Sequence, residues 1–297
     1  MAPYAIVTLG GVEVEARLGD YRALKSVVSP SGSANVTLAA KGGVISPALD
    51  AFLAAAPGEK PFLPFTLETG YAEIGGRVVF TGHVNKATPK EGGLLVEIEA
   101  LDDLALRRFQ YKKSEFAATL PEIIEEIVVD SAIADHDIGV TSGVMEHAVQ
   151  DGTSPLDLLS SLQSNREFEI PFTWYWTAFG KFVWRPWTPP AQDQVFTFQY
   201  RVNIVELVPD EENDTVASEV ETKQAKSAAY EAWAAGEPQG PSYTLETIPH
   251  PWIQAGDLVR LADHPIAADG DYRVDEIEHL HQGGRTRSVL AIRRMAA

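Results

Sequence analysis

The sequence predicts a mainly β protein with an α+β insert: two small antiparallel β-barrels flanking an α+β domain. Three observations carry this. Apolar and polar residues alternate with period two through the first and last thirds of the chain. Glycine pairs punctuate the alternation at Gly10-Gly11, Gly42-Gly43, Gly75-Gly76, Gly92-Gly93 and Gly283-Gly284. The apolar period lengthens to that of a helix in the middle of the chain. The expected domains are a first barrel over 1–108, an α+β insert over 109–190, and a second barrel over 191–297.

The first third supplies its strands in order. In "VTLGGVEVEARL" Val12, Val14, Ala16 and Leu18 alternate with Glu13, Glu15 and Arg17 behind a Gly10-Gly11 turn. Val36 and Leu38 face one way in "SANVTLAA". Phe65, Leu67 and Tyr71 do so in "PFTLETGY", and Val78, Phe80 and Val84 in "RVVFTGHV". "LLVEIEAL" sets Leu94, Val96, Ile98 and Ala100 against Glu97 and Glu99. Such half-buried strands at regular spacing are the pattern of a small barrel or sandwich.

The middle reads differently. Thr119 and Glu122 stand at capping-box spacing, followed by an apolar stripe of Ile123, Ile124, Ile127 and Val128. Ser154 is the expected N-cap of a second helix, with Pro155 at its first position and Leu156, Leu159 and Leu162 on its buried face. Between Phe172 and Trp187 two aromatic arms surround a turn at Gly180. In the last third "VFTFQYRVNI" alternates through Phe196, Phe198, Tyr200, Val202 and Ile204. An acidic loop covers 210–214, and an Ala-rich helix is expected over 223–235, ending near Gly236. "SYTLETI", "DLVRL" and a final hairpin around Gly283-Gly284 complete the chain.

Bulk composition excludes several classes. The chain has 297 residues, and its 45% hydrophobic content supports real cores. It has no cysteine, so disulfide scaffolds and thiolate metal sites are excluded. Residues 1–9 do not read as a signal peptide, and no stretch approaches the roughly 20 apolar residues of a membrane span. The charge is the strongest bulk signal: 24 basic against 42 acidic residues give a net −18. Tight nucleic-acid binding rests on cations neutralising phosphates, so this balance argues against it.

Candidate chemistry is sparse. His279 and His281 stand two apart beside Glu276 and Glu278, and on a strand they share a face. A metal site needs three or four protein ligands, and spacing supplies no third. The segment reads as one arm of a hairpin, and no metal, cofactor or catalytic residue is assigned. His83, His136, His147, His250 and His264 are scattered without ligand spacing. The acidic pairs Asp102-Asp103, Glu125-Glu126 and Glu211-Glu212 read as solvated surface. Four tryptophans, Trp174, Trp176, Trp184 and Trp187, crowd one hairpin and read as the cover of an apolar face. A sugar-stacking platform is the competing reading.

In their order along the chain these segments resemble a known family. "LETGYAEIGGRVVFTGHV" followed by "LLVEIEALDDLALRRF" is similar to the N-terminal barrel of phage tail (baseplate) hub proteins, of the late control protein D and contractile injection system type. Gly70, Tyr71, Phe80, Gly82, Val84, Asp102 and Leu104 take the places of that family's motif. "TLPEIIEEIVVDSAI" and "DGTSPLDLLSSLQSNREFEI" resemble the two helices of its insert. Gly256, Asp257, Val259, Gly270, Tyr272, Val274 and His279 match its closing barrel. The chain departs from the pattern at Ala255, where the family often has Pro, in the acidic loop 210–214, and in its aromatic-rich insert sheet.

The resemblance implies a structural, non-enzymatic protein of a virion tail, assembled in the host cytoplasm. It implies a homotrimeric ring whose six tail-tube-like barrels adapt a hexameric tube or distal tail protein above to a trimeric spike, fibre or tip below. A channel for DNA, and a place for a tape measure protein, go with that ring. A peptidoglycan-degrading or carbohydrate-binding tail-tip component is the alternative.

Overall fold

In a computed structural model the described residues are 2–14, 17–29, 31–39, 45–90, 94–112, 114–139, 144–163, 173–188, 195–210, 238 and 240–295. The expected Ala-rich helix and all of the acidic loop after Asp210 lie outside them, as do Gly42-Gly43 and Gly92-Gly93.

The chain is mainly β with four short helices among the described residues. The first strands are β1 (Pro3–Leu9), β2 (Val12–Glu13), β3 (Arg17–Ser26) and β4 (Ser33–Ala39). Helix α1 (Pro47–Ala54) precedes β5 (Pro64–Tyr71), β6 (Gly75–Lys90) and β7 (Leu95–Leu101). The middle runs α2 (Leu104–Arg108), β8 (Ser114–Thr119), α3 (Leu120–Asp130), β9 (His136–Ile138), β10 (Val144–Val149), α4 (Pro155–Gln163), β11 (Thr173–Trp176) and β12 (Phe182–Arg185). The last strands are β13 (Phe196–Gln199), β14 (Ile204–Pro209), β15 (Ser242–Thr247), β16 (Leu258–Ala262), β17 (Gly270–Gln282) and β18 (Arg285–Arg294).

Three cores form along the chain. The first gathers the inward residues of β1 and β3 to β7 with Leu49 and Phe52 of α1, and Leu67, Phe80 and Ile98 sit at its centre. α1 is held by Ser46, whose hydroxyl accepts the Leu49 N–H at 3.1 Å, with Pro47 opening the helix. The second core packs Ile123, Ile124 and Ile127 of α3 against Leu159 and Leu162 of α4 and the aromatic hairpin. The Glu122 carboxylate accepts the Thr119 N–H at 2.8 Å, the reciprocal arm of the expected capping box. Ser154 accepts the Asp157 N–H at 3.1 Å, as its N-cap position requires. The third core is built on Phe198, Leu245, Val259, Tyr272, Ile277 and Leu290.

The two β regions are not separate barrels. Their strands form one 13-stranded sheet whose longest path is β14-β15-β18-β17-β3-β4-β7-β6-β5-β1-β2. Among the described residues no ladder closes either region. β1 and β3 instead face an opening of about 300 Å³, lined by Tyr4, Leu18, Tyr21 and His281. The reason lies in β17. One of its edges pairs β18 along its length; the other serves two strands in succession. Tyr272 and Arg273 pair β16, and Glu276 to His281 pair β3. The change occurs at a bulge between Val274 and Glu276, and bulges bend a strand and re-aim its edge. The Asp275 carbonyl then accepts the Val27 N–H at 2.9 Å, which starts the new ladder.

Three further expectations change. Val12 and Leu94 are exposed, 65% and 62%, because each flanks a turn instead of continuing the strand pattern. The run from Phe196 to Ile204 breaks after Gln199. Asn203 closes a turn there, accepting the Gln199 N–H at 2.8 Å and donating to the Thr197 carbonyl at 2.9 Å. Tyr200 and Val202 are thereby turned outward. Asp102 and Asp103 are buried, not solvated.

Asp275 is itself buried, and its carboxylate takes Arg273 at 2.6 Å and Arg293 at 3.2 Å. Removing one partner of a buried pair strands the other charge. Asp275→Ala is expected to lower the urea-unfolding free energy by about 3 kcal/mol. An unchanged midpoint and slope would show that the bulge does not rest on this pair.

Candidate functional site

The β3–β17 ladder is a seam where the first and third cores meet, and charge is buried beside it. Lys25 on β3 reaches Asp102 at the end of β7, Nζ to Oδ2 2.7 Å, with both side chains nearly inaccessible. Asp102 Oδ1 accepts the Gly32 N–H at 2.8 Å. A side chain at Gly32 would bring a Cβ to 2.8 Å from the Leu24 carbonyl oxygen, so the carboxylate needs glycine there. The Lys25 ammonium also lies 4.6 Å from the Phe80 ring centre. Burial raises the Asp102 carboxyl to about 6 against the pull of Lys25. It lowers Lys25 against the pull of Asp102. Next along, Asp103 accepts from Arg107 at 2.7 Å and from the Ser31 hydroxyl.

His279 pairs Ala23 across the seam and is 4% exposed. Its Nδ1 lies 3.0 Å from the Ser288 hydroxyl, and burial pushes the imidazole down to about 3. His281 Nδ1 meets Thr286 at 2.7 Å, and its ring stacks on Tyr21. The two histidines do share a face, but each ring is engaged within the hairpin. Among the described residues no group of three or more His, Asp or Glu could hold a metal.

The aromatic hairpin is a core element. Trp174 pairs Trp184 across β11 and β12, and Trp174, Trp176 and Trp184 are all buried in the middle core. This removes the stacking surface that a sugar platform through Trp174 and Trp184 would need. Trp187 lies outside that core and reaches the last region: its indole N–H donates to the Gly256 carbonyl at 3.3 Å, and Arg273 lies 4.8 Å from its ring centre. A junction cavity of about 180 Å³ results, lined by Lys25, Trp176, Trp187, Asp257, Ile277 and His279 among others. A second clasp joins the first and third regions: Tyr71 donates to the Pro249 carbonyl at 2.9 Å and stacks on Trp252.

The sheet's outer face is a shallow groove of about 550 Å³. One row of directly opposed residues crosses six strands: Arg287, Leu280, Arg22, Asn35, Glu99 and Lys86. Arg22 pairs Glu278, and Arg287 pairs Glu246 at 2.9 Å. Despite the chain's net −18, cations and anions nearly balance here, with Arg22, Lys86 and Arg287 against Asp20, Glu97, Glu99 and Glu278.

Among the described residues this arrangement offers a charged groove and a junction cavity. Sequence reasoning missed the Lys25–Asp102 pair, because nothing at Lys25 distinguishes it from a surface lysine until β3 is placed beside β7. The Asp102 position was visible as the end of a motif strand, but not its burial.

No protein-family model matches the chain, and no curated protein sequence does. Solved structures do. A tail protein from Neisseria meningitidis MC58 superposes with a TM-score of 0.68 at 12% identity, covering 99% of this chain and 97% of that one. The 43 kDa tail protein of prophage MuSo2 from Shewanella oneidensis gives 0.64 at 14% identity, over 98% and 96%. An E. coli type VI secretion component, described as structurally similar to the T4 bacteriophage tail proteins gp27 and gp5, gives 0.63 at 12% identity, over 98% of this chain and 77% of that one. The chain therefore shares its fold with phage tail and type VI secretion proteins along nearly its whole length.

A carboxylate withdrawn from a buried lysine leaves an uncompensated charge. Asp102→Asn is expected to cost about 3 kcal/mol in urea unfolding, and Lys25→Met combined with Asp102→Leu to recover most of it. A double variant no more stable than Asp102→Asn would contradict this reading of the pair.

Proposed function

We propose that this chain is a structural tail protein, the hub of a phage tail or of a related contractile injection machine. The observation that carries the reading is end-to-end likeness of fold: 98–99% of this chain superposes on 96–97% of two tail proteins, one of them from a prophage. The agreement spans both β regions and the middle unit together, which a shared small module would not produce.

In this reading three copies form a ring. Each copy contributes two tube-like strand sets, so the ring presents six to the tail tube or distal tail protein above and three-fold symmetry to the spike, fibre or tip below. The reading divides the chain into 1–108, 109–190 and 191–297; the presence of three cores supports three units, with Leu106 of the first span packing into the middle core. Among the described residues the sheet path ends at β2 and β14, whose outer edges are unpaired, with Val12, Val205 and Val208 exposed. Open apolar edges invite pairing, and a closed ring of copies is a way to cover them. A net charge of −18 suits a channel through which DNA slides without adhering, because phosphates gain no counterion release there. The site of action is the virion tail, after assembly in the host cytoplasm, and a tape measure protein is a candidate occupant of the channel. The role is non-enzymatic.

The test is mass determination in solution with electron-microscope class averages. A three-fold ring with a central hole is expected. A compact monomer that persists at high concentration would overturn the ring.

A further inference from the structure

The third core holds a second histidine beside the seam. His250 donates its backbone N–H to the Ser288 hydroxyl at 3.0 Å. The same hydroxyl, fully buried, contacts His279 Nδ1 at 3.0 Å. Ser288 Oγ thus accepts from His250, and toward His279 Nδ1 it can either donate its proton or accept with its second lone pair. In either direction the partner of this buried ring is a neutral hydroxyl, which offers no countercharge to an imidazolium. His250 is no better placed to carry charge. Its Nε2 is buried and has no hydrogen-bond partner among the described residues, and its ring stands edge-on to Phe196 and Phe198 at 6.1 and 5.3 Å.

The surroundings also disfavour a cation. Lys25 on β3 lines the same junction cavity as His279 and already occupies Asp102. Arg185 on β12 lines it as well, paired to Asp137 at 3.1 Å. Tyr175 on β11 and Asp257 are its other titratable members. Asp257 is the one carboxylate among the described residues that line the cavity, and it accepts the Gln254 N–H at 2.8 Å. β17 holds β3 through a short ladder of six residue pairs, and most members of the first core and all of the middle core lie on other elements.

We propose that the seam is built to open in acid: protonating the His250–Ser288–His279 cluster separates β17 from β3 while the first and middle cores stay folded. This goes beyond the hub reading and does not depend on it. The sign follows from burial. His279 is pushed from 6.5 down to about 3, so its contribution is complete above 6.5 and is lost as pH falls toward 3. His250 is lowered by burial and acts in the same direction. Asp102, raised from 3.8 to about 6, acts oppositely in that window, so variants of the two sites separate their effects.

The test is hydrogen–deuterium exchange of the full chain near pH 7 and near pH 4.5, corrected for intrinsic rates. Peptides from β3 and β17 are expected to lose about tenfold or more of their protection in acid, while those from β5, β6 and α3 keep theirs. His279→Gln is expected to remove most of that pH dependence, and His281→Gln to leave it unchanged. His250→Gln, expected to reduce it, decides the matter if His279→Gln does not fold. Seam protection that survives acid, or that falls together with all three cores, or that falls equally in the histidine variants, would overturn the proposal.

Discussion

One strand edge has to serve two partners, and much of this structure follows from that. A β-strand has two hydrogen-bonding edges, and β17 gives one wholly to β18. The other is divided between β16 and β3, with the change of partner at the Asp275 bulge. Had β17 stayed with one partner, the first and last regions would be free to fold as independent units. Sharing it makes them one sheet and draws polar groups into the junction. Asp275 with its two arginines stands at the switch, and Lys25 with Asp102 lies on the first region's side. Such pairs are weak sources of stability, since desolvation offsets most of their attraction. Their value here is register. A slip of one residue between β3 and β17 would reverse every side chain across the seam and expose Lys25.

The sequence made the strands legible because alternation is a local signal. Val36, Leu38, Phe65, Leu67, Val96 and Ile98 are buried as their spacing predicts. The helix caps at Thr119 and Ser154 were equally local, and the Gly283-Gly284 turn has both glycines at positive φ as a primed hairpin turn demands. What could not be read was non-local. Alternation says which face of β17 is buried, but not which strands lie at its edges. Closure was therefore expected where an open, shared sheet is found. β8, β9 and β10 went unread because short strands inside a mixed unit give too few residues for a period to show. The turn at Asn203 was missed for the opposite reason. The apolar period continues through Tyr200 and Val202, and a single side chain breaks it.

The candidate site was less legible than the fold. His279 attracted attention as a metal ligand through its spacing with His281, yet its role is set by Ser288 and His250, residues that no short motif links to it. The tryptophan cluster suggested a surface by its density. Its burial follows from the pairing of Trp174 with Trp184 over the α3 stripe. In both cases residue type pointed toward chemistry and packing points toward architecture. Among the described residues the structure presents a balanced outer sheet face, open strand edges, and a seam that joins the strand sets.

The shared strand can be tested directly, because the chain has no cysteine of its own. Arg22 and Leu280 are directly opposed across the seam. Cysteines at these two positions should oxidise to a disulfide in the folded chain and give a single cross-linked peptide joining β3 to β17. Two thiols that remain reactive in a fully folded protein would show that β17 does not pair β3, and the single-sheet architecture would fail with it.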